Sequence, residues 1–263
     1  MAPSLIDSYS KELDKFPDCD SKTLIREGYI IAPRTFSFIR LSEYQLTGLN
    51  APPYCLVATE VGCGTEGWFE LHSQELSSEG QSEQEIIEKL LTSGMENEEH
   101  DTVIARFAYR PYRFLAQNGE QVGMQIKGAF VHSDLEQFGL ARTVYGFLLN
   151  WYDHIVCDNK QTVYGARIWA RGMLAVGRVQ IYDANLPGFV DVLAEGGIGY
   201  GRFKPWDGLN LSQAQLSDWG DNHLNVESCT QIVNIISACD KKCVIGKITY
   251  VREPERTRMV VIR

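Results

Sequence analysis

The chain has 263 residues, 44% of them apolar and 22% charged, with a formal charge of −9. This is ordinary globular composition, long enough for a sizeable core, and the acid excess argues against sequence-independent nucleic-acid binding, which draws on summed Lys and Arg. No stretch reaches the ~18 consecutive apolar residues of a membrane span, and the charged opening MAPSLIDSYSKELDKF lacks the apolar segment of a signal peptide, so a soluble, cytoplasmic protein without membrane contact is predicted.

YIIAPRTFSFIRL and YCLVATEVG are β-rich, and GWFELHS, after a Gly-rich turn, is read with them. Ser73 to Glu85 reads as a solvated loop leading to a short helix in SEQEIIEKLLTSG, with Ser82 as N-cap, Glu85 at the capping-box position and Gly94 past the end. The acidic MENEEH follows. In DTVIARFAYR, Val103, Ala105, Phe107 and Tyr109 alternate with Arg106 and Arg110, which predicts an antiparallel strand. Val122 to Val131 reads as its partner across the turn AQNGEQ.

From Gly139 the period becomes helical, with Leu140, Val144, Phe147, Leu148 and Trp151 at three- and four-residue spacing. HIVCD is a short buried strand, QTVYGARIWARGML a second helix, and GRVQIYD a strand again. NVESCTQIVNIISAC reads as helix, and the chain ends in a hairpin about Pro254. The fold class predicted is α/β (α+β): a mixed, mostly antiparallel twisted sheet flanked by helices, in one domain with a core near residues 100–185 and a C-terminal extension over 186–263.

The seven cysteines are odd in number and scattered, which fits a reducing compartment. Cys239 and Cys243, with Cys229 and His223 nearby, lack a second paired-cysteine motif, and no metal is predicted. Cys157, in an apolar strand with His154 and His132 as its only candidate partners, reads as a buried thiol.

A strand ending near Val131 and a helix starting near Gly139 gather unpaired N–H groups where the helix dipole favours an anion. The spacing is neither a P-loop nor a dinucleotide fingerprint. A helix start that simply needs a small residue accounts for Gly139 taken alone. EQFGLA, Glu136 to Ala141, resembles the Q/R-x-x-G-x-G/A loop of the GNAT acyltransferase superfamily. With IVCDN, QTVYGARIW and VGRVQIYD following in that order, residues 100–185 resemble GNAT-like proteins encoded by bacteriophages.

The resemblance implies a coenzyme A-dependent N-acyltransferase, in the host cytoplasm for a phage protein, using acetyl-CoA or another acyl-CoA. Phe138, Gly139, Leu140, Ala141 and Arg142 would hold the pyrophosphate, and Val131 would give an N–H to the thioester carbonyl. Asp158 would accept or orient the amine proton, Tyr164 would serve the leaving thiolate, and Asn159 and Arg110 would contact the acceptor. Asp158 and Asn159 equally suit caps for the helix near Gln161. Glu136 and Trp169 depart from the family's Gln/Arg and Tyr, so a non-catalytic binding or inhibitory partner, in phage–host interplay, is the alternative. The acceptor is an amine of unspecified class; Arg106 to Phe114, RFAYRPYRF, is the stretch that would contact a nucleic acid or, more simply, a strand end with exposed arginines.

Overall fold

Three strands open the fold: β1 (Ser21–Ile31), β2 (Phe38–Thr47) and β3 (Tyr54–Glu60). They belong to a computed structural model that describes residues 13, 15–211, 216–242, 245–246, 249–253 and 256–260. The strands form an antiparallel meander. Its register puts Glu27 opposite Ser42 and Tyr29 opposite Arg40, and then Ser42 opposite Val57 and Arg40 opposite Thr59. Since side chains alternate along a strand, these residues share one face.

Two helices cover one end of that face: α1 (Trp68–Ser78) and α2 (Glu83–Thr92). Helix α1 corrects the strand expected at GWFELHS and takes in Ser73–Ser78 of the expected loop. Gly67, at φ 71°, turns the chain. Phe69 and Ser73, four apart, then lie buried on one side of the helix, and Phe69 packs 5.1 Å from the Phe38 ring. Helix α2 starts as predicted. The Ser82 N–H donates to Glu85 Oε2 at 2.8 Å while Ser82 Oγ accepts from the Glu85 N–H. Its Ile86, Ile87 and Leu90 join Tyr29, Ile31, Phe38, Val61 and Phe69 in one apolar cluster, each large side chain contributing roughly 1.5–3 kcal/mol.

β4 (Thr102–Ala116) and β5 (Gly119–Val131) are the predicted hairpin, turning at Gln117–Asn118 into Gly119 at φ 108°. The expected alternation in β4 gives way to burial of every residue from Ile104 to Tyr109, Arg106 included. A strand flanked on both sides, as β4 is by β3 and β5, with both faces covered, has no polar face to show.

Internal contacts divide the described residues into two compact units, one drawn from 7–108, 129–143 and 244–263, the other from 109–128 and 144–243. α3 (Leu140–Leu148), whose residues up to Thr143 fall in the first unit, leads from β5 to β6 (His154–Val156), and in the second unit these two strands pair in parallel, Met124 with Ile155 and Gln125 with Val156. A helical crossover is what a parallel pair requires. α4 (Val163–Arg167) continues through a π-helical turn, Ile168–Met173, into α5 (Leu174–Val176). β7 (Gly177–Asp183), β8 (Gly188–Val192) and β9 (Ile232–Lys241) complete that unit's sheet in the order β5-β6-β9-β7-β8.

β9 corrects the helix expected at NVESCTQIVNIISAC. It lies between β6 and β7 with Ile232 to Ser237 all buried. Such a run, β-branched but for Asn234 and Ser237, suits a central strand as well as it mimics a buried helix. β10 (Thr249–Glu253) and β11 (Arg256–Val260) form the predicted terminal hairpin, with β10 beside β1; Pro254 itself lies outside the described residues. The whole is α+β with a mixed, mostly antiparallel sheet, as expected. Among the described residues no helix is long and apolar enough to cross a membrane.

Candidate functional site

The helices of the first unit leave part of the β1–β2–β3 face open. There a groove of about 300 Å³ is lined by Glu27, Tyr29, Arg40, Ser42, Tyr44, Val57 and Thr59, with Glu96 and Glu98 on its rim. Its floor is built by the strand register: the rows Glu27–Ser42–Val57 and Tyr29–Arg40–Thr59 run across it. Ser42 Oγ donates to Glu27 Oε1 at 2.8 Å. The Arg40 guanidinium is held by the Asp101 carboxylate, whose other oxygen accepts the Gly62 N–H at 2.9 Å.

Glu96 is exposed at the rim, yet its carboxyl is pushed above the usual range. Partial burial is the main cause; Asp101, Glu98 and Glu27 add to it, and Arg40 opposes it. The Tyr44 phenol is also raised, by burial first and by Glu27 next. A group that charges reluctantly beside other acids gains from an incoming cation. The groove can therefore take up a cationic group and offer hydroxyls to a polar ligand.

In the second unit the turn after β6 holds a hydrogen-bonded network. Lys127 of β5 forms an ion pair with Asp158, the two side chains 18% and 11% exposed. Asp158 Oδ1 also accepts the Asn159 N–H at 2.7 Å. Gln125 Nε2 donates to the Cys157 carbonyl and to Asn159 Oδ1, at 3.1 and 2.9 Å, and Asn159 Nδ2 donates to the Thr230 carbonyl at 3.1 Å. Burial raises the Asp158 carboxyl, outweighing the pull of Lys127 and of the Asn159 and Lys160 N–H groups. The Cys157 thiol, buried and accepting the Asn234 N–H at 3.0 Å, is pushed up to about 12. Little thiolate forms there, and Cys157 is the buried thiol expected.

Asp158 and Asn159 thus lie side by side, both engaged in local bonds. The helix cap falls instead to Thr162, whose Oγ1 accepts the Gly165 N–H at 3.0 Å. Tyr164 is 41% exposed and its ring lies 6.0 Å from the Arg167 guanidinium carbon. Arg110 is exposed on β4. Trp169 is a core residue, its ring 6.2 Å from that of Tyr145.

The residues expected to hold a cofactor belong to the first unit. Gly139, at φ 82°, ends a 3₁₀ turn over Ser133–Phe138 and opens α3. Arg142 folds back over it, so that a Cβ on Gly139 would lie 3.4 Å from the guanidinium. Leu140 and Phe138 face a narrow apolar cavity of about 10 Å³ shared with Ala32, Ile39 and Ile104. Val131 is buried, and Ala141 is half-buried. In RFAYRPYRF, Arg106 is buried and Arg113 pairs with Glu120.

Sequence reasoning passed over the groove. Its trace is the pattern Ile39-Arg40-Leu41-Ser42, polar on alternate positions of an otherwise apolar strand, and the MENEEH run, which supplies Glu96 and Glu98. No protein-family model matches the chain, and a search of curated proteins returns no match.

Proposed function

We propose that the chain is a binding protein for small amine-bearing molecules, taken up in the groove on the β1–β2–β3 face. The observation that carries this reading is the imbalance of charge in a cavity of about 300 Å³. Its one guanidinium, Arg40, is committed to Asp101, while Glu27, Glu96 and Glu98 have no ion-pair partner among the described residues. That volume is at the lower end for small-molecule pockets.

Calorimetric titration with spermidine, and with glutarate as an anionic control, tests it. Spermidine binds and glutarate does not; Glu98→Gln and Glu27→Gln each weaken spermidine about tenfold or more, the worth of a charge-assisted hydrogen bond. Equal affinity in the parent and both variants would sink the proposal.

A second reading, coenzyme A-dependent acyl transfer to an amine, draws support from the start of α3. A left-handed glycine there is flanked by the guanidinium of Arg142, a cation where a pyrophosphate needs one. Saturating acetyl-CoA at a hundred times its Kd would add about 2.7 kcal/mol and raise the melting temperature by roughly 5–10 °C, with ATP as control. An unchanged melting temperature removes this reading and leaves the groove untouched.

A further inference from the structure

A different cavity, in the second unit, has the opposite character. About 70 Å³ in volume, it is lined by Arg167, Arg171, Gly196, Asp218, Trp219 and His223, together with Ala170. The two arginines are four residues apart on α4 and the π-helical turn that continues it, which puts them on one side of the helix. π-helical turns recur at functional positions.

The two arginines on this wall have spare donor capacity. Arg167 Nη2 donates to the Asp218 carbonyl at 2.6 Å, and its other N–H groups have no further partner among the described residues. Arg171 is exposed and makes no hydrogen bond or ion pair among the described residues. His223 Nδ1 lies 2.8 Å from the Gly196 carbonyl oxygen; that oxygen can only accept, so Nδ1 donates to it, and the ring forms part of the wall without counting among the donors for an anion. Trp219 lines the cavity too; its indole N–H is shut off from solvent and has no acceptor among the described residues, so it reports on the site from behind the wall.

The wall is also held firmly. Gly197, at φ 85°, lets the Trp219 ring approach so closely that a Cβ would stand 2.9 Å from Cζ2, and Trp206 packs against Trp219 with centroids 5.0 Å apart. The one carboxylate present, Asp218, is exposed and pairs with neither arginine among the described residues. Two guanidinium forks on one side of a helix match the oxygens of a phosphate or carboxylate.

We propose that this cavity is a binding site for a small oxyanion, the phosphate group being the best match to its size and its donors. The volume holds about two waters at ~30 Å³ each, enough for one such group and too little for a nucleotide. The site is independent of the groove and of any acyl transfer.

The test is a titration of the ¹⁵N-labelled protein with inorganic phosphate, chloride balancing the ionic strength. One of the five indole N–H signals shifts with saturation, and the signal that shifts is the one missing in Trp219→Phe. Arg171→Gln weakens phosphate by about 10- to 100-fold, the loss of one charged pair, while Arg171→Lys falls between that variant and the parent. Because Arg171 is exposed and without a partner among the described residues, neither substitution changes the melting temperature in the absence of phosphate. The proposal is overturned if no indole signal saturates, if chloride alone produces the same shift, or if Arg171→Gln binds phosphate as the parent does.

Discussion

The Lys127–Asp158 pair separates a structural from a catalytic role for Asp158. Removing one member of a buried ion pair costs about 3–5 kcal/mol, because the other charge is left uncompensated. With side-chain exposures of 18% and 11%, the pair lies near the edge of the core, and the lower end, about 3 kcal/mol, is expected for Asp158→Asn or Lys127→Met alone. For a chain of this size that is roughly 6–12 °C in melting temperature. The raised Asp158 carboxyl adds a sharper expectation. If burial outweighs Lys127, the pair does not fully offset its own desolvation, and removing both charges should restore part of the loss.

The double variant Lys127→Met/Asp158→Asn keeps the Lys stem and keeps an acceptor for the Asn159 N–H. It should lie closer to the parent than the sum of the single variants, with a coupling of about 1–3 kcal/mol. Urea denaturation followed by tryptophan fluorescence suits the measurement, since Trp151, Trp169, Trp206 and Trp219 all belong to the unit that holds the pair. Additive single effects, or single losses under about 0.5 kcal/mol, would refute the account and return Asp158 to the list of groups free for chemistry.

Gly139 is held at φ 82° with only the Arg142 side chain near its missing Cβ, so backbone strain alone sets the cost of substitution: Gly139→Ala loses about 1–2 kcal/mol and Gly139→Asn less, read from urea midpoints. Glu96→Gln reports on the groove. Since the Glu96 carboxyl is raised above 4.5 in the folded chain, the folded state keeps a proton that the unfolded chain has released. Parent stability therefore falls as pH rises from 4.5 through the folded value. The variant lacks that fall and gains on the parent across the window, which melting curves at successive pH values record.

Much of the fold was legible where a local rule acts alone. The capping box at Ser82 and Glu85, the turn before Gly119, the helix after Gly139 and the strand Gly177–Asp183 each follow from a few neighbouring residues. The misreadings at α1 and β9 have one physical origin. Trp68-Phe69 and Ile232-Val233 are apolar runs whose partners are distant in sequence, and helix or strand is decided by what they pack on. The groove was illegible for a related reason. Glu27, Arg40, Thr59 and Glu96 are unremarkable on their own strands and loops and become a site only through the register of three strands.

The net charge gives the two proposed ligand sites different salt responses. A chain of −9 attracts a polyamine from beyond contact distance, and ions screen that attraction over about 10 Å at 0.1 M salt. Phosphate meets the reverse: long-range repulsion from the chain as a whole, then attraction from Arg167 and Arg171 at contact. Added salt weakens both terms for phosphate, and they partly cancel. Between about 50 and 200 mM salt spermidine affinity should therefore fall steeply while phosphate affinity changes little, and calorimetry at several chloride concentrations measures both slopes. Phosphate affinity that rises with salt while spermidine affinity falls would mean that both answer to the field of the whole chain and that neither cavity selects its ligand by local charge.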